Sequence, residues 1–217
     1  MMISKDWQAF DDFFDRYPIR SYRKGYMLVL AGDVTPKAFY LVSGRVRVYD
    51  VTYRGDERIV YDIKAPALVP LLFLLDIRPT PYIYEAHTDI EVRQAPADEV
   101  MAFVRTHSDV AFELLLTASR VLNGVLERTM RILSGSAKER LIYSLVMECR
   151  RYGERQRDGS YRVAISEREL GAQAGLSRET ISREARKLKA DHLIEVGHHE
   201  ITIPNLEQLE HVIELDV

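Results

Sequence analysis

The sequence contains one cysteine, Cys149, among its 217 residues. A single thiol excludes an intrachain disulfide framework and an iron–sulfur cluster held by four cysteines of one chain. Long apolar runs are also missing, since the longest, from Ala65 to Asp76, contains two prolines and is too short to cross a bilayer. The N-terminus has neither the basic start nor the long apolar stretch of a signal peptide. We therefore expect a cytoplasmic protein that has no membrane partner.

The chain also has little excess of charge of either sign, with a formal net charge of −3. The distribution is uneven, because residues 161–190 contain seven Arg or Lys and four Glu, a local charge of +3. Residues 191–217 contain seven acidic residues and no Lys or Arg. The basic surface is therefore confined to one short segment.

Apolar periodicity predicts a β-rich first half. Residues 1–20 have the spacing of a short amphipathic helix that ends near Pro18. From Arg20 to Ala97, short alternating segments are separated by turn signals such as the tripeptides SGR and RGD. These features predict six to eight strands in a small antiparallel sandwich or barrel.

The second half is predicted to begin with helices at 98–106, 108 to about 133, and 137–152. The long middle helix has an apolar seam with alternating spacings of three and four residues, which is typical of a dimerisation helix or of an intradomain core helix. We favour dimerisation, and place a hinge at Ser134–Ser136. The seam residues are Leu115, Ala118, Leu122, Val125, Thr129 and Ile132.

The basic segment has the pattern of a helix-turn-helix. Ser166 and Glu169 have the spacing of a capping box, which predicts the start of a first short helix. Gly175 then permits the left-handed conformation of a tight turn. Ser177 is a second N-cap, so a second helix is predicted to run to about Ala190.

Two faces are predicted for this second helix. Apolar residues at 181, 185 and 188 would face the core, and polar residues would face a DNA groove. Arginine forks match guanine, and a carboxylate accepts from cytosine, so Arg178, Glu179 and Arg183 are the predicted base contacts. The alternative is a solvated charged face. The predicted contacts to the DNA backbone are Ser166, Ser177, Thr180, Ser182 and Arg186.

Two short β-like runs follow around Gly197, His198 and His199, and they predict a two-stranded wing. The two histidines could bind a metal, but a wing tip near phosphate is the simpler interpretation. A helix-turn-helix with a wing is a winged-helix domain.

The segment ISERELGAQAGLSRETISREARKLKADHLIEV resembles the DNA-binding motif of the Crp–Fnr superfamily of bacterial transcription regulators, most specifically in GLSRETISR. The segment AFYLVSGRVRVYDVTYRGDERIVYDI is similar to the central hairpins of the same family. The resemblance implies an α+β fold in three parts. These are a cyclic-nucleotide-binding-type β-roll, or double-stranded jelly roll, at 1–107, a dimerisation helix and hinge at 108–135, and a winged helix-turn-helix at 136–217.

The resemblance also implies a function. A homodimer would bind double-stranded DNA at an inverted repeat with TGTGA-like half-sites, and Arg178, Glu179 and Arg183 occupy the positions of the family's base-contacting residues. RNA polymerase is a further partner that the family resemblance implies. Activation and repression use the same DNA contacts and are not distinguished by these residues.

The β-roll departs from the family pattern where cyclic nucleotides bind. Members that bind them carry Gly-Glu-Leu and, further on, Arg-Ser or Arg-Thr, whereas this chain has Val69-Pro70-Leu71 and Thr80-Pro81. A buried phosphate without a cationic partner is strongly unfavourable, so we do not expect cyclic AMP as the effector. Arg78, two residues before Thr80, is the one nearby substitute.

Other effectors of the family also depend on particular residues. The family's iron–sulfur sensors need several N-terminal cysteines, and none precedes Cys149. A haem sensor needs an axial ligand, for which His87 is the candidate in the β-rich region. The apolar segment that includes Val69, Pro70 and Leu71 is predicted either to line a pocket for an apolar effector or to be filled by its own side chains.

Catalysis is not predicted. A cupin-type enzyme would need clustered histidine and carboxylate ligands, and the β-rich region offers only His87. The sequence also has no nucleophile elbow and no phosphate-binding loop. A signalling module that binds only a partner protein is the remaining alternative, and the arginines of the second helix argue against it.

Overall fold

The computed structural model describes residues 7–53, 55, 57–75, 78–197 and 200–213. Part of the predicted N-terminal helix, two residues of the RGD turn, and His198 and His199 lie outside the described residues. The chain forms two compact units, one ending at Val125 and the other beginning at Leu126. The three-part division predicted above, with boundaries at 107 and 135, stays a prediction.

The first unit is built on two four-stranded antiparallel sheets, in the orders β1-β8-β3-β6 and β2-β7-β4-β5. This is the β-roll that the sequence predicted. Its elements are α1 (Gln8–Phe14), β1 (Ile19–Tyr22), β2 (Met27–Val29), β3 (Lys37–Ser43), β4 (Arg45–Val51), β5 (Glu57–Lys64), β6 (Ala67–Val69), α2 (Leu71–Leu75), β7 (Ile83–Ala86), β8 (Ile90–Pro96), α3 (Ala97–Thr106) and the start of α4 (Ser108–Ser134).

Alternating side chains of the strands fill the space between the sheets. Leu41, Val46, Val48, Tyr84 and Val92 are completely buried there. The turn between β3 and β4 depends on Gly44, which has φ +87°. A Cβ atom at Gly44 would lie 2.4 Å from the carbonyl oxygen of Asp89, so only glycine fits. The predicted turn at SGR is present, but it does not close the expected hairpin, because β3 and β4 belong to different sheets.

A second core joins the β-roll to its helices. Phe10 and Phe14 of α1 pack beside Tyr40 of β3, and Val100 of α3 and Leu114 of α4 complete the cluster. Phe10 and Phe14 belong to the apolar spacing that predicted the N-terminal helix. Helix α1 ends at Phe14, four residues before Pro18, where the sequence predicted its end.

The second unit contains the last turns of α4 and a compact winged-helix body. The further elements are α5 (Ala137–Tyr152), β9 (Glu154–Arg155), β10 (Tyr161–Val163), α6 (Glu167–Ala174), α7 (Arg178–Ala190), β11 (Glu195–Val196), β12 (Ile201–Ile203) and α8 (Leu206–His211). Strands β11 and β12 pair as the predicted wing. They belong, however, to a four-stranded sheet of order β11-β12-β10-β9, because β12 also pairs with β10.

The junction between α4 and α5 is short. Ser134 is the last residue of α4, and Ser136 is the N-cap of α5, where its hydroxyl accepts from the Glu139 N–H at 3.3 Å. Only Gly135 lies between them, and its N–H donates to the Arg131 carbonyl at 2.9 Å. The predicted hinge at 134–136 is therefore a single residue between a helix end and a capped helix start.

No helix in the described part of the chain is long and apolar enough to cross a membrane.

Candidate nucleic-acid interface

The capping box predicted at Ser166 fixes the start of α6. The Ser166 hydroxyl accepts from the Glu169 N–H at 3.3 Å, and the Glu169 carboxylate accepts from the Ser166 N–H at 3.0 Å. Both residues therefore satisfy backbone N–H groups that the first turn of a helix leaves without partners.

Two glycines lie at the turn between α6 and α7. Gly175 ends α6 in the left-handed conformation, with φ 61° and ψ 38°. At Gly171, a Cβ atom would lie 3.1 Å from the Leu176 carbonyl oxygen and 3.3 Å from a side-chain carbon of Ile181, so glycine lets α7 approach closely. Leu176 packs against the core and anchors the turn, as predicted.

The buried face of α7 is the predicted one. Ile181, Ala185 and Leu188 are at most 2% exposed and belong to the core of the second unit. Ser177 caps the helix, since its hydroxyl accepts from the Thr180 N–H at 3.2 Å. Because the core and the cap fix the helix rotation, its opposite face is directed outward.

The outward face of α7 presents the three predicted base-contacting residues together. Arg178, Glu179 and Arg183 are all exposed, and Arg186 continues the same face one turn further on. The first two lie in the first turn of the helix, where the helix dipole is positive and favours a nearby phosphate. The arrangement offers two guanidinium groups and one carboxylate to an approaching groove.

The predicted contacts to the DNA backbone are less uniform. The hydroxyl of Ser166 donates to the Glu169 carboxylate at 2.8 Å, and the hydroxyls of Ser177 and Thr180 lie 2.9 Å apart. These three groups are thus engaged in the helix caps, and their contact to phosphate stays a prediction. Ser182 is half-buried and accepts from the Arg186 guanidinium at 3.5 Å.

Glu184 was missed by the sequence reasoning, although it lies beside a predicted base contact. It is only 5% exposed, and its carboxylate accepts from Lys187 at 3.0 and 3.1 Å and from Nε of Arg183 at 3.2 Å. The hydrogen bonds from Lys187 and Arg183 hold the pKa of Glu184 below its usual value, although burial acts in the opposite direction. Because Nε of Arg183 is bound, its two terminal amino groups are the atoms best placed for a guanine.

Two arginines from outside the motif bind the carboxyl end of α6. Arg128 of α4 donates to the Gln173 carbonyl from Nε at 3.0 Å and from a terminal amino group at 2.6 Å. Arg140 of α5 donates to the Ala174 carbonyl at 2.9 and 2.6 Å, and to the Gly175 carbonyl at 2.5 Å. No local sequence pattern predicts these contacts, because the partners are 34 and 45 residues apart.

Helix α4 carries an apolar stripe on its surface. Of the predicted seam, Leu115 and Leu122 are 63% and 58% exposed and Thr129 is also exposed, whereas Ala118, Val125 and Ile132 are half-buried. The other large apolar side chains that α4 exposes are Phe112, Leu126, Met130 and Leu133. The exposed stripe therefore keeps the predicted heptad spacing at 115, 122 and 129, and it is completed by residues at 112, 126 and 133.

The predicted effector-pocket residues are mostly packed. Val69, Pro70, Leu71 and Thr80 are buried, while Pro81 is exposed. The cavity beside Pro70 and Thr80 has a volume of about 20 Å³, room for about one water molecule, whereas pockets for small molecules measure roughly 300–1,000 Å³.

The residues present do not fit a cyclic nucleotide. Arg78, the one candidate for a phosphate partner, is exposed, and its guanidinium lies 5.6 Å from the ring centre of Phe73. Residues 69–71 provide no carboxylate for a ribose.

The residues present do not fit haem or an iron–sulfur cluster either. Nε2 of His87 lies 3.2 Å from the guanidinium of Arg47, which only donates, so the lone pair that an iron would need is engaged. Arg47 is itself held by the buried carboxylate of Asp62 at 3.0 Å. Cys149 is buried in α5, and burial raises the pKa of its thiol to about 11, the opposite of what a thiolate ligand requires.

A β-roll, a long helix with an apolar stripe and a winged helix-turn-helix with exposed arginines define a DNA-binding transcription regulator. Family models agree with both units: the cyclic nucleotide-binding domain matches residues 19–107, and the Crp-like helix-turn-helix domain matches residues 139–212. The chain belongs to the Crp–Fnr family of transcription regulators.

Individual relatives span most of the chain. It is 25% identical over 200 residues to the transcriptional activator protein FnrA of Stutzerimonas stutzeri, covering 92% of this chain and 81% of FnrA. It is 27% identical over 194 residues to the cyclic AMP receptor protein of Thermus thermophilus, covering 89% and 87%. The crystal structure of a CRP/FNR-family transcriptional regulator from Thermus thermophilus has the same fold, with a TM-score of 0.75 and 21% identity over 91% of this chain and 98% of that one.

Proposed function

We propose that this regulator acts as a homodimer on an inverted repeat with TGTGA-like half-sites. The observation that carries the proposal is the joint exposure of Arg178, Glu179 and Arg183 on a helix whose opposite face is buried. A carboxylate between two arginines is unfavourable for phosphate contact alone, and it suits a cytosine beside guanines. The family relationship supports the half-site sequence.

The proposed dimer surface is the apolar stripe of α4. Leucines that are more than half exposed at 115, 122 and 126 are costly in water, and pairing with the same helix of a second copy would bury them. Two symmetric copies would place their α7 helices about 34 Å apart, one turn of DNA, with each helix in a successive major groove.

We also propose that the β-roll needs neither cyclic AMP nor haem to support DNA binding. Two observations favour an interior that is filled by its own side chains. The cavity beside Pro70 and Thr80 is small, and His87 is hydrogen-bonded to Arg47. Since the relatives are transcription regulators, we propose no catalytic activity.

A selection of random duplexes with the purified protein, without ligand and at a stated salt concentration, tests these proposals. We expect enrichment of an inverted repeat with TGTGA-like halves. Enrichment of single half-sites would contradict the dimer, and enrichment of unrelated sequences would contradict the assigned base contacts.

Two variants accompany the selection. Arg178→Ala should weaken the enrichment and relax the selected sequence at one base pair of each half-site. Arg105→Ala, which removes an arginine from the exposed surface of α3, should leave the enrichment unchanged. If the unliganded protein folds and dimerises but enriches nothing, the proposal of an effector-independent β-roll is wrong.

A further inference from the structure

The two arginines that bind the end of α6 come from opposite sides of the junction at Gly135. Arg128 lies in α4, before the junction, and Arg140 lies in α5, after it. Both bind carbonyls in the stretch that leads from α6 into α7, so both act on the turn that directs the DNA-contacting helix.

The contacts are chemically strong. The last four carbonyls of a helix have no partner within the helix, and they carry the negative end of its dipole. A guanidinium group supplies charge and several N–H donors in fixed geometry. In each of these arginines, Nε and a terminal amino group donate to the same carbonyl oxygen.

The two contacts have different consequences. Arg140 belongs to α5, which packs in the same core as α6 and α7, so its bonds lie within the winged-helix body. Arg128 belongs to α4, whose described residues contribute none of the buried residues of that core. The bonds of Arg128 therefore connect the end of α6 to the last turns of α4 across the junction. The Arg131 guanidinium, 5.8 Å from the ring centre of Tyr143, adds a contact to α5 but none to that end of α6.

The junction alone leaves torsional freedom. Gly135 is the one residue between the last residue of α4 and the N-cap of α5, and rotation of its backbone would change the direction of α5 relative to α4. A change of direction would separate Arg128 from the Gln173 carbonyl while leaving the bonds of Arg140 intact.

We propose that Arg128 is a positioning residue that latches the winged-helix body to the end of α4 and so fixes the direction of α7. The inference rests on the proposed binding of an inverted repeat for its functional consequence. In a dimer held by α4, a fixed direction of each α7 sets the separation at which both helices enter the major groove.

Loss of the Arg128 contact should change how binding depends on half-site spacing, an effect that general destabilisation would not produce. Adding or removing one base pair between half-sites rotates one of them by about 34° and shifts it by about 3.4 Å. A latched dimer cannot follow this change, whereas a dimer that turns at Gly135 adapts to it. Arg128 should therefore control the selectivity for half-site spacing.

The test measures binding to operators whose spacer is native, one base pair shorter or one base pair longer. We expect the wild type to prefer the native spacer by about tenfold or more, and Arg128→Ala to reduce that preference to below about threefold. Arg128→Lys, which keeps the charge but not the fork, should fall between them. An unchanged preference in Arg128→Ala would overturn the proposal, even if its affinity fell equally on all three operators.

Arg140→Ala is the matched control. It removes the same side chain from the same turn on the other side of the junction, so we expect a lower melting temperature and weaker binding on every spacer, with the preference retained. A loss of preference equal to that of Arg128→Ala would show that any damage to the turn suffices, and the latch would be rejected.

Hydrogen exchange on the full chain tests the latch without DNA. We expect Arg128→Ala to accelerate exchange over residues 126–136 and to leave the core amides of Ile181 and Leu188 unchanged. Unchanged exchange over 126–136, or acceleration across α6 and α7, would contradict the latch. If the wild type binds no inverted repeat, the proposed function fails, and this measurement still decides the latch.

Discussion

On α7, a proposed base-contacting side chain is held in place by its neighbours. Arg183 is exposed, yet its Nε is held by the buried Glu184, which Lys187 also binds. An arginine fixed through Nε loses less rotamer freedom on meeting a base than a free one does. Glu184 and Lys187 therefore belong to the proposed recognition surface through their contacts with Arg183, although neither is a proposed DNA contact.

Arg183→Ala should weaken binding to the selected operator by about 1–3 kcal/mol and relax the preference at one base pair of each half-site. The reason is the loss of a bidentate contact to a single guanine. Titration against operators substituted at each position measures the effect. An equal loss on all sequences would mean that Arg183 contacts phosphate.

Glu184→Gln should make stability depend less on pH in the acid range. The lowered pKa of Glu184 gives stability that is present above the pKa of the unfolded chain, about 4.3, and is lost as the pH falls through the lower folded value. Denaturant unfolding of both proteins between about pH 6 and pH 3 should therefore show a difference that shrinks toward low pH. A difference that stays constant would contradict the assigned ion pairs.

Some elements could be predicted from nearby residues, whereas others depend on residues far apart in the sequence. The capped starts of α6 and α7 and the left-handed Gly175 were predicted correctly, because each depends on residues within four positions of one another. The four-stranded sheet was not predicted, because β9 has two residues and β10 three, and β12 meets β10 across some forty residues. Arg128 and Arg140 were missed for the same reason.

Leu122→Asp should disrupt the dimer and abolish operator binding. A carboxylate in the middle of the apolar stripe of α4 would be buried without a partner in the dimer, which is strongly unfavourable. Sedimentation and a binding titration on the same sample measure both effects. Tight specific binding by a monomeric variant would contradict the proposed dimer.

The control is Arg120→Asp, which places the same carboxylate at an exposed position about 160° around the helix from Leu122, away from the apolar stripe. It should leave both dimerisation and binding close to those of the wild type.

For the whole molecule, the family architecture was predictable from the sequence, whereas the state of the β-roll interior was not. Missing charges at 69–71 and 80–81 argued against cyclic AMP, but they left a ligand pocket and a filled interior equally open. The burial of Thr80 favours the second interpretation, since the residue is 1% exposed and its hydroxyl accepts from the Tyr82 N–H at 3.1 Å. Its backbone is also engaged. Its N–H donates to the Asp33 carbonyl at 3.2 Å, and its carbonyl accepts from the Gly32 N–H at 2.7 Å.

Thr80→Ala should leave dimerisation and operator affinity unchanged, and cyclic AMP should alter neither protein's affinity. The expected reason is that Thr80 fills space and supports a loop instead of binding an effector. Titrations with and without the nucleotide provide the measurement. A cyclic-AMP-dependent gain in affinity that Thr80→Ala abolishes would restore the nucleotide pocket.

The single-residue junction at Gly135 has a consequence for building chimaeric regulators. A fusion made at Gly135 is the obvious choice, since it lies between two helices, but it would exchange Arg128 along with the rest of α4. The transplanted winged-helix body would keep its fold and lose the contact at Gln173. A junction placed before Leu126 would keep the last turns of α4, including Arg128, together with the winged-helix body. The segment to transplant therefore begins nine residues before Gly135.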